Sequence, residues 1–138
     1  MEKKIDIYKS AGIIIKDRKF LITRTRGKNF FVSPGGKIEK GETIIEALER
    51  ELKEELDINI DTESLENFGV FYALAQGLED KYLEMNVFIV NKYKGEIIPS
   101  SEIEEVMWVD SKLPSNLELG SIFKHDILPK LKELDLID

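Results

Sequence analysis

The chain has no cysteine and a single histidine, His125. The missing cysteines exclude a thiol nucleophile, a disulfide and a thiolate zinc site. One histidine cannot form a His-rich metal site, and we expect His125 to be structural or exposed. Carboxylates and hard cations are the catalytic chemistry that remains.

Long apolar runs are also missing. No stretch approaches the roughly 18 apolar residues of a membrane-spanning helix. The first residues, MEKKIDIYK, lack the apolar core of a signal peptide. We therefore expect a cytoplasmic protein that does not interact with membranes.

Positive charge is in deficit, with 20 Lys and Arg against 27 Asp and Glu and a formal net charge of −7. Proteins that bind nucleic acid polymers rely on many Lys and Arg contacts to phosphates, so such a partner is not expected. A small anionic substrate remains compatible if metal ions and a few local cations neutralise it.

The overall size and composition are those of one globular domain. The 138 residues are 42% apolar and 34% charged, which is typical of a soluble chain with a single core. We expect one domain spanning residues 1–138.

The stretch that follows Gly41 predicts an amphipathic helix. Thr43 can cap its first turn, with Glu46 three residues later completing a capping box. Apolar residues recur at helical spacing on one side of this helix: Ile44, Ile45, Leu48, Leu52 and Leu56. On the helical wheel Glu55 falls inside this apolar arc, and Glu51 lies at its edge.

The same helix is crowded with negative charge. Between Glu42 and Glu55 it holds six glutamates but only two cations, and such like-charge crowding destabilises an isolated helix. An inward-pointing carboxylate must be paired or bound to a cation. Glu51, Glu54 and Glu55, at positions i, i+3 and i+4, can share a divalent cation such as Mg²⁺ or Mn²⁺. The alternative is an ordinary solvated acidic face.

A glycine-rich segment, Pro34-Gly35-Gly36-Lys37, precedes the helix. Glycines let the backbone approach the acidic helix face and present its amides and carbonyls to a ligand. We therefore expect a loop here, with Gly36 among the substrate-binding residues.

Together, the glycines and the helix resemble the Nudix box, the signature of the Nudix hydrolases. The match spans the 23 positions from Gly36 to Ile58, including the run RELKEELDI that starts at Arg50. It departs from the family pattern at Asp57, where glycine is usual. Because Asp tolerates the left-handed conformation better than most residues, a helix stop is still expected there.

This resemblance implies a fold and a site. The fold is the Nudix α/β/α sandwich, of the α/β class, with a mixed β-sheet between helices. Metal ligands are expected at Glu51, Glu54, Glu55 and the Gly35 carbonyl. Arg50 would hold Glu51 in place, and Lys37 would stabilise phosphate charge or be an exposed loop lysine. Glu51 or Glu54 would be the general base, with Glu105 in a later acidic segment as a third candidate.

Further substrate contacts are predicted in the strands. Residues 6–16 and 19–26 predict a hairpin whose second strand carries Arg24 and Arg26, which are suited to phosphate oxygens. Residues 29–33 predict a short strand, in which Phe30 and Phe31 are core residues or one of them lines a pocket, with Phe31 as the candidate for the substrate pocket. Asn86, in the strand predicted for residues 82–93, can read a base edge or be a satisfied core amide.

Later segments complete the predicted mixed sheet. Short or long strands are expected at residues 58–60, 65–75 and 106–110, a turn at residues 76–80, and a terminal helix over residues 117–136 that Pro129 kinks or restarts.

The resemblance favours a Mg²⁺-dependent pyrophosphohydrolase of the MutT-like branch. Its expected substrate is a nucleoside or deoxynucleoside triphosphate, including an oxidised purine such as 8-oxo-dGTP, cleaved to the monophosphate and pyrophosphate. ADP-ribose or another nucleoside diphosphate derivative is the alternative substrate. A Nudix-fold sensor without turnover and an acidic protein–protein module are the alternative functions. The family also leads us to expect a homodimer.

Overall fold

A computed structural model describes residues 4–75 and 78–138 of the chain. The strands are β1 (Ile7–Ile13), β2 (Ile15–Lys16), β3 (Lys19–Thr25), β4 (Gly35–Lys37), β5 (Asn59–Ile60), β6 (Glu66–Ala75), β7 (Leu78–Ile89), β8 (Tyr93–Lys94) and β9 (Ile103–Val109). The helices are α1 (Ile44–Leu56) and α2 (Leu128–Glu133), and a π-helical turn, Phe123–Ile127, leads into α2. A 3-10 turn, Thr62–Ser64, precedes β6.

The main sheet is mixed, with strand order β4-β1-β7-β6. Strands β1 and β7 are parallel, while β4 and β6 pair antiparallel with their neighbours. A second sheet has the order β2-β3-β9, and β5 pairs with β8. The predicted α/β architecture with a mixed sheet is confirmed.

Each helix covers its own apolar core. Leu48, Leu52 and Leu56 of α1 belong to one buried cluster with Ile14. The C-terminal helical segment that includes α2 packs in the other buried cluster, which contains Ile127, Leu131 and the β1 residues Ala11 and Ile13. Side chains alternate along a strand, and a Cβ on Gly12, between Ala11 and Ile13, would point to Leu48 and Leu52 of α1 instead. The two helices therefore lie on opposite sides of the main sheet.

The predicted hairpin is wrong in its first strand. Of the predicted first strand, residues 6–16, only β2 pairs with β3, through Ile15 opposite Phe20 and Lys16 opposite Lys19. Residues 7–13 leave that hairpin and pair with β4 and β7 in the other sheet. The chain changes sheet at Ile14, and a local turn signal at Asp17 and Arg18 does not reveal where the preceding strand pairs.

The glycine segment is a strand rather than a loop. Gly35 and Gly36 lie opposite Ala11 and Ser10 of β1. A Cβ on Gly35 would lie 2.1 Å from the Ser10 carbonyl oxygen, and its φ is +150°, so only glycine allows this close pairing. The strand predicted at residues 29–33 is reduced to single bridges at Phe31 and Val32.

Helix α1 begins and ends as the sequence predicts. Thr43 and Glu46 form both hydrogen bonds of the capping box, and Asp57 ends the helix in the left-handed conformation at φ 57°. The predicted apolar arc is wrong in the first turn, where Ile44 and Ile45 are 38% and 39% exposed. The buried side chains of α1 are Ala47, Leu48, Leu52 and Leu56. The first turn of α1 therefore lies beyond the apolar core that the rest of the helix covers.

The remaining predictions are met in part. Strand β7 begins at Leu78, so the predicted turn is wrong over residues 78–80, and residues 76–77 lie outside the described part of the chain. The terminal helix starts at Ser121, later than predicted, and Pro129 lies in the first turn of α2. His125 is exposed. In the described residues no helix is both long and apolar enough to cross a membrane.

Candidate functional site

Glu51 lies directly against the backbone of β4. A Cβ placed on Gly36 would be 2.6 to 2.8 Å from the three carboxylate atoms of Glu51, closer than such atoms approach in proteins. The Glu51 side chain is only 16% exposed. Glycine at position 36 therefore leaves room for this carboxylate in the position that it occupies.

Glu55 lies beside the same strand and is held by its backbone. Its Oε1 accepts a hydrogen bond of 3.0 Å from the Gly35 amide. Burial raises the pKa of Glu55 from 4.5 to about 8, although the Gly35 hydrogen bond acts in the opposite direction. Burial also raises the pKa of Glu51, against the effect of Arg50. A cation near these groups would favour their ionised forms.

Arg50 links the helix to the segment before it. Its Nε and Nη2 donate to the two carboxylate oxygens of Glu42 at 2.6 and 2.9 Å. Nη1 donates to Glu51 at 2.9 Å and to Glu54 at 3.4 Å, and Nη2 also donates to the Lys37 carbonyl at 3.1 Å. The Arg50 hydrogen bonds lower the pKa of Glu42 to about 2. Arg50 thus contacts Glu51 directly, and its role in positioning Glu51 for catalysis stays a prediction.

The three predicted metal carboxylates do not form a ready-made cluster. Within residues 4–75 and 78–138, no three acidic or histidine side chains stand close enough together to hold a metal ion. Glu55 is turned to Gly35, while Glu51 and Glu54 are turned to Arg50. Glu54 is 52% exposed.

The site nevertheless fits a hard divalent cation. Its donors are carboxylate oxygens, two of them on the partly buried Glu51 and Glu55, whose charged forms are disfavoured without a nearby cation. The Ser10 and Ser33 hydroxyls are buried near β4 and have no hydrogen-bond partner in the described part of the chain. Buried polar groups of this kind commonly bind ordered water. The assignment of Gly35, Glu51, Glu54 and Glu55 as ligands stays a prediction.

A cavity of about 290 Å³ opens on the other side of β4. Its charged lining residues are Lys9, Lys28 and Lys37, and its aromatic ones are Phe30 and Phe123. Lys37 thus lines this cavity, while its neighbour Gly36 faces Glu51. The phosphate contact predicted for Lys37 stays a prediction.

Phe31 is not at this cavity. It is 7% exposed and packs in the core beneath the terminal helix, while Phe30 lines the cavity instead. Of the two neighbouring phenylalanines it is therefore Phe30 that is exposed to this cavity, and the substrate contact predicted for Phe31 stays a prediction. Side chains alternate between the two sides of an extended segment, and the sequence does not show which side faces the core.

Asn86 is a satisfied amide in the sheet. It is 7% exposed, and its Nδ2 donates to the Lys9 carbonyl and to Glu84 Oε2, each at 3.3 Å. It pairs in register with Ser10 and does not line the cavity described above. The structural alternative for Asn86 is therefore the one observed.

Arg24 and Glu105 face each other across β3 and β9. Arg24 Nε donates to Glu105 Oε1 at 3.2 Å, and its Nη1 donates to the Lys28 carbonyl at 3.1 Å. Arg26 is exposed, and its backbone amide donates to Glu102. No hydrogen bond or ion pair among the described residues joins Arg24 or Glu105 to the α1 carboxylates. The roles predicted for Arg24, Arg26 and Glu105 stay predictions.

Lys9 is a residue that the sequence interpretation missed. It is half-buried on β1, directly opposite Lys37 on β4. Burial, followed by the charge of Lys37, lowers the pKa of Lys9, while Glu55 and Glu51 raise it. Alternation along β1 gives the signal that could have found it, because Lys9 shares its side with Ile7 and Ala11.

Comparisons with known proteins agree on one family. A family model described as the NUDIX domain matches residues 7–131. An 8-oxo-dGTP diphosphatase of Haemophilus influenzae is 36% identical over 116 residues, covering 80% of this chain and 79% of that protein. An ADP-ribose pyrophosphatase of Methanocaldococcus jannaschii is 33% identical over 102 residues, covering 72% of this chain and 59% of that protein.

Solved structures share the fold. A MutT NUDIX hydrolase from Burkholderia pseudomallei superposes with a TM-score of 0.71 at 18% identity, over 94% of this chain and 95% of that one. At this identity the likeness concerns the fold alone.

Proposed function

The chain belongs to the Nudix family, and on that premise we propose that it is a Mg²⁺-dependent pyrophosphohydrolase. Its proposed substrate is a small nucleotide, with a nucleoside or deoxynucleoside triphosphate, including 8-oxo-dGTP, as the first choice. The observation that carries the proposal is the fit of the Glu51 carboxylate against Gly36, next to the buried Glu55. An ordinary solvated helix face would not need a glycine opposite a glutamate.

The reaction adds water to a phosphoanhydride. A water oxygen bonds to phosphorus, the anhydride P–O bond breaks, and a carboxylate takes the water proton, leaving the monophosphate and pyrophosphate. A divalent cation, when bound, supplies charge neutralisation at the phosphates and makes water more acidic. Glu51, Glu54 and Glu55 are the residues that would hold it, with the Gly35 carbonyl.

The chain's own groups divide the remaining tasks. Arg50 fixes Glu51 through the 2.9 Å hydrogen bond and prevents it from swinging into solvent. Lys37 follows Gly36 on the edge strand β4, and by reaching around this edge its flexible side chain can pair with phosphate oxygens. Glu51 or Glu54 would accept the proton. Glu105 is a weaker candidate for this role, since its carboxylate already pairs with Arg24.

Two substrate classes stay open. Relatives above 30% identity are named for 8-oxo-dGTP and for ADP-ribose. A pyrophosphate-release assay with Mg²⁺, run on the deoxynucleoside triphosphates and 8-oxo-dGTP beside ADP-ribose, separates them. ADP-ribose yields AMP and ribose phosphate instead of pyrophosphate, so nucleotide products are measured by chromatography in the same samples.

The same assay tests the enzymatic proposal itself. We expect turnover with Mg²⁺ and its loss when a chelator removes the metal. Tight nucleotide binding without turnover would instead support the sensor, and a melting temperature that Mg²⁺ does not change would support the protein–protein module.

The predicted homodimer is tested separately. Light scattering of the purified chain gives its mass in solution directly, and a value near 15.9 kDa would contradict dimerisation.

A further inference from the structure

We propose that Lys9 is a specificity-determining residue that makes the enzyme prefer nucleotides with keto bases (guanine, 8-oxoguanine, uracil and thymine) over those with adenine or cytosine. This inference rests on the proposed function, because it assigns the cavity behind β4 to the base of the nucleotide.

The cavity and the acidic site adjoin at one strand edge. Gly36 faces Glu51 of α1, and the next residue, Lys37, lines the cavity. Successive residues of a strand are about 3.3 Å apart, and β4 is the edge strand of its sheet. A nucleotide can therefore pass around this free edge, with its phosphates at Glu51 and its base in the cavity.

The shape of the cavity suits a base more than a whole nucleotide. Its volume of about 290 Å³ is at the lower end of the range of ligand pockets, roughly 300 to 1,000 Å³. Apolar and aromatic side chains, among them Phe30, Met85 and Phe123, form most of its wall. Flat aromatic rings are bound well by such surfaces.

The polar side chains of this wall are almost all hydrogen-bond donors. They are Lys9, Lys28, Lys37 and Ser121, and none of the described residues that line the cavity is Asp, Glu, Asn, Gln or His. An ammonium group has three N–H donors and no acceptor. Keto bases present carbonyl acceptors, whereas adenine and cytosine present an amino group at the corresponding position. A lysine facing this position can satisfy the carbonyl of a keto base but not the amino group of adenine or cytosine.

Among these lysines, Lys9 is the one that can discriminate between bases. Lys28 and Lys37 are exposed, so water can replace their contacts, but Lys9 is half-buried between β4 and β7. Its ammonium group has no hydrogen bond or ion pair among the described residues, and it lies opposite the like charge of Lys37. An unpaired, partly desolvated cation is unfavourable, and a ligand carbonyl would supply the missing partner.

The test compares base preference in the wild type and in Lys9→Met, which keeps the apolar stem and removes the charge. Dissociation constants are measured by calorimetry for dGMP, dTMP, dAMP and dCMP, and kcat/KM for the corresponding triphosphates. We expect wild-type keto preferences of roughly tenfold, the size of one base-edge contact, and their reduction to about threefold or less in Lys9→Met.

Two further variants sharpen the result. Lys9→Gln introduces an acceptor together with a donor, and it should improve binding of dAMP and dCMP relative to dGMP. Lys16→Met is the matched control, because Lys16 is exposed on β2 away from the cavity, and its preferences should equal those of the wild type.

Three outcomes overturn the inference: equal wild-type affinity for all four bases, an unchanged preference in Lys9→Met, or a uniform loss of affinity that would place Lys9 at a phosphate. A keto preference in binding that Lys9→Met removes, without hydrolysis of any triphosphate, would support the inference and contradict only the proposed enzymatic activity.

Discussion

On one side of the β1–β4 strand pair, Ser10 and Gly36 leave room for the carboxylates of α1, and on the other side Lys9 and Lys37 face a cavity. Neighbouring residues of the same two strands thus create an acidic site and a basic one. The two sets of charges are separated by the backbone and do not form ion pairs with each other. A ligand that is itself a metal–phosphate complex attached to a base would complement both sides.

Substitutions of the two glycines of β4 are expected to have the largest effects. They separate the contribution of β4 to stability from its contribution to activity. Gly35→Ala would place a Cβ 2.1 Å from the Ser10 backbone oxygen, so we expect a loss of about 3 kcal/mol or more in the free energy of unfolding. Gly36→Ala meets only the end of the flexible Glu51 side chain, so stability should change little while kcat/KM falls about tenfold or more. Denaturant melts and kinetics on both variants check this. Equal losses of stability would contradict the separation.

Replacing single carboxylates of α1 should impair catalysis at the acidic side. Glu54→Gln and Glu55→Gln should each lower kcat by roughly 10²-fold or more, as expected when a metal or base contribution is lost. Glu49→Gln is the control, since Glu49 is exposed on the same helix and has no assigned role. Circular dichroism should show intact folds. Normal turnover in both site variants would show that the acidic side is not the active site.

Arg50 contributes both to the stability of the protein and to the alignment of the carboxylates on the acidic side. Arg50→Met leaves Glu42 and Glu51 without their partner, so we expect a loss of about 1–3 kcal/mol of stability and a roughly tenfold fall in rate. Lys53→Met removes an exposed i,i+4 pair with Asp57 and should change stability by about 0.5 kcal/mol or less. A thermal melt and a rate for each variant decide the matter, and similar effects in the two would argue against a special role for Arg50.

The pH dependence of the metal-free protein follows from Glu55. Its folded pKa of about 8 lies above the ordinary 4.5, so the folded state binds the extra proton and stability falls as pH rises through this interval. In the presence of a chelator, Glu55→Gln should be more stable than the wild type at pH 8 by about 1–2 kcal/mol and equal to it near pH 4. Urea melts at the two pH values measure the difference. A wild-type advantage at pH 8 would have the wrong sign.

Local features of α1 could be predicted from the sequence. The capping box at Thr43, the stop at Asp57 and the inward direction of Glu55 each depend on residues within a few turns of one helix. The glycines opposite Glu51 were found because the family signature fixes their spacing.

The pairing of strands that lie far apart in the sequence could not be predicted from such local features. Strand β1 pairs in parallel with β7, more than 70 residues later, and nothing near β1 specifies that partner. For the same reason the strand character of Gly35–Lys37 and the alignment of Lys9 with Lys37 were not foreseen. The choice between Phe30 and Phe31 depended on the direction of a segment that pairs through single bridges.

The smallest expected effect concerns the basic side without ligand. Lys37 lies opposite Lys9, and like charges opposite each other in a strand pair are mildly destabilising. Lys37→Met should therefore raise the free energy of unfolding of the nucleotide-free protein by about 0.2–1 kcal/mol at low salt, and less at high salt because screening weakens the repulsion. Lys40→Met, which removes an exposed lysine after β4, is the control and should leave stability within about 0.5 kcal/mol of the wild type. Urea melts at two salt concentrations measure both variants. Lower stability in Lys37→Met would mean that Lys37 is held by the acidic side instead, and the separation of charges across β4 would not describe the ligand-free protein.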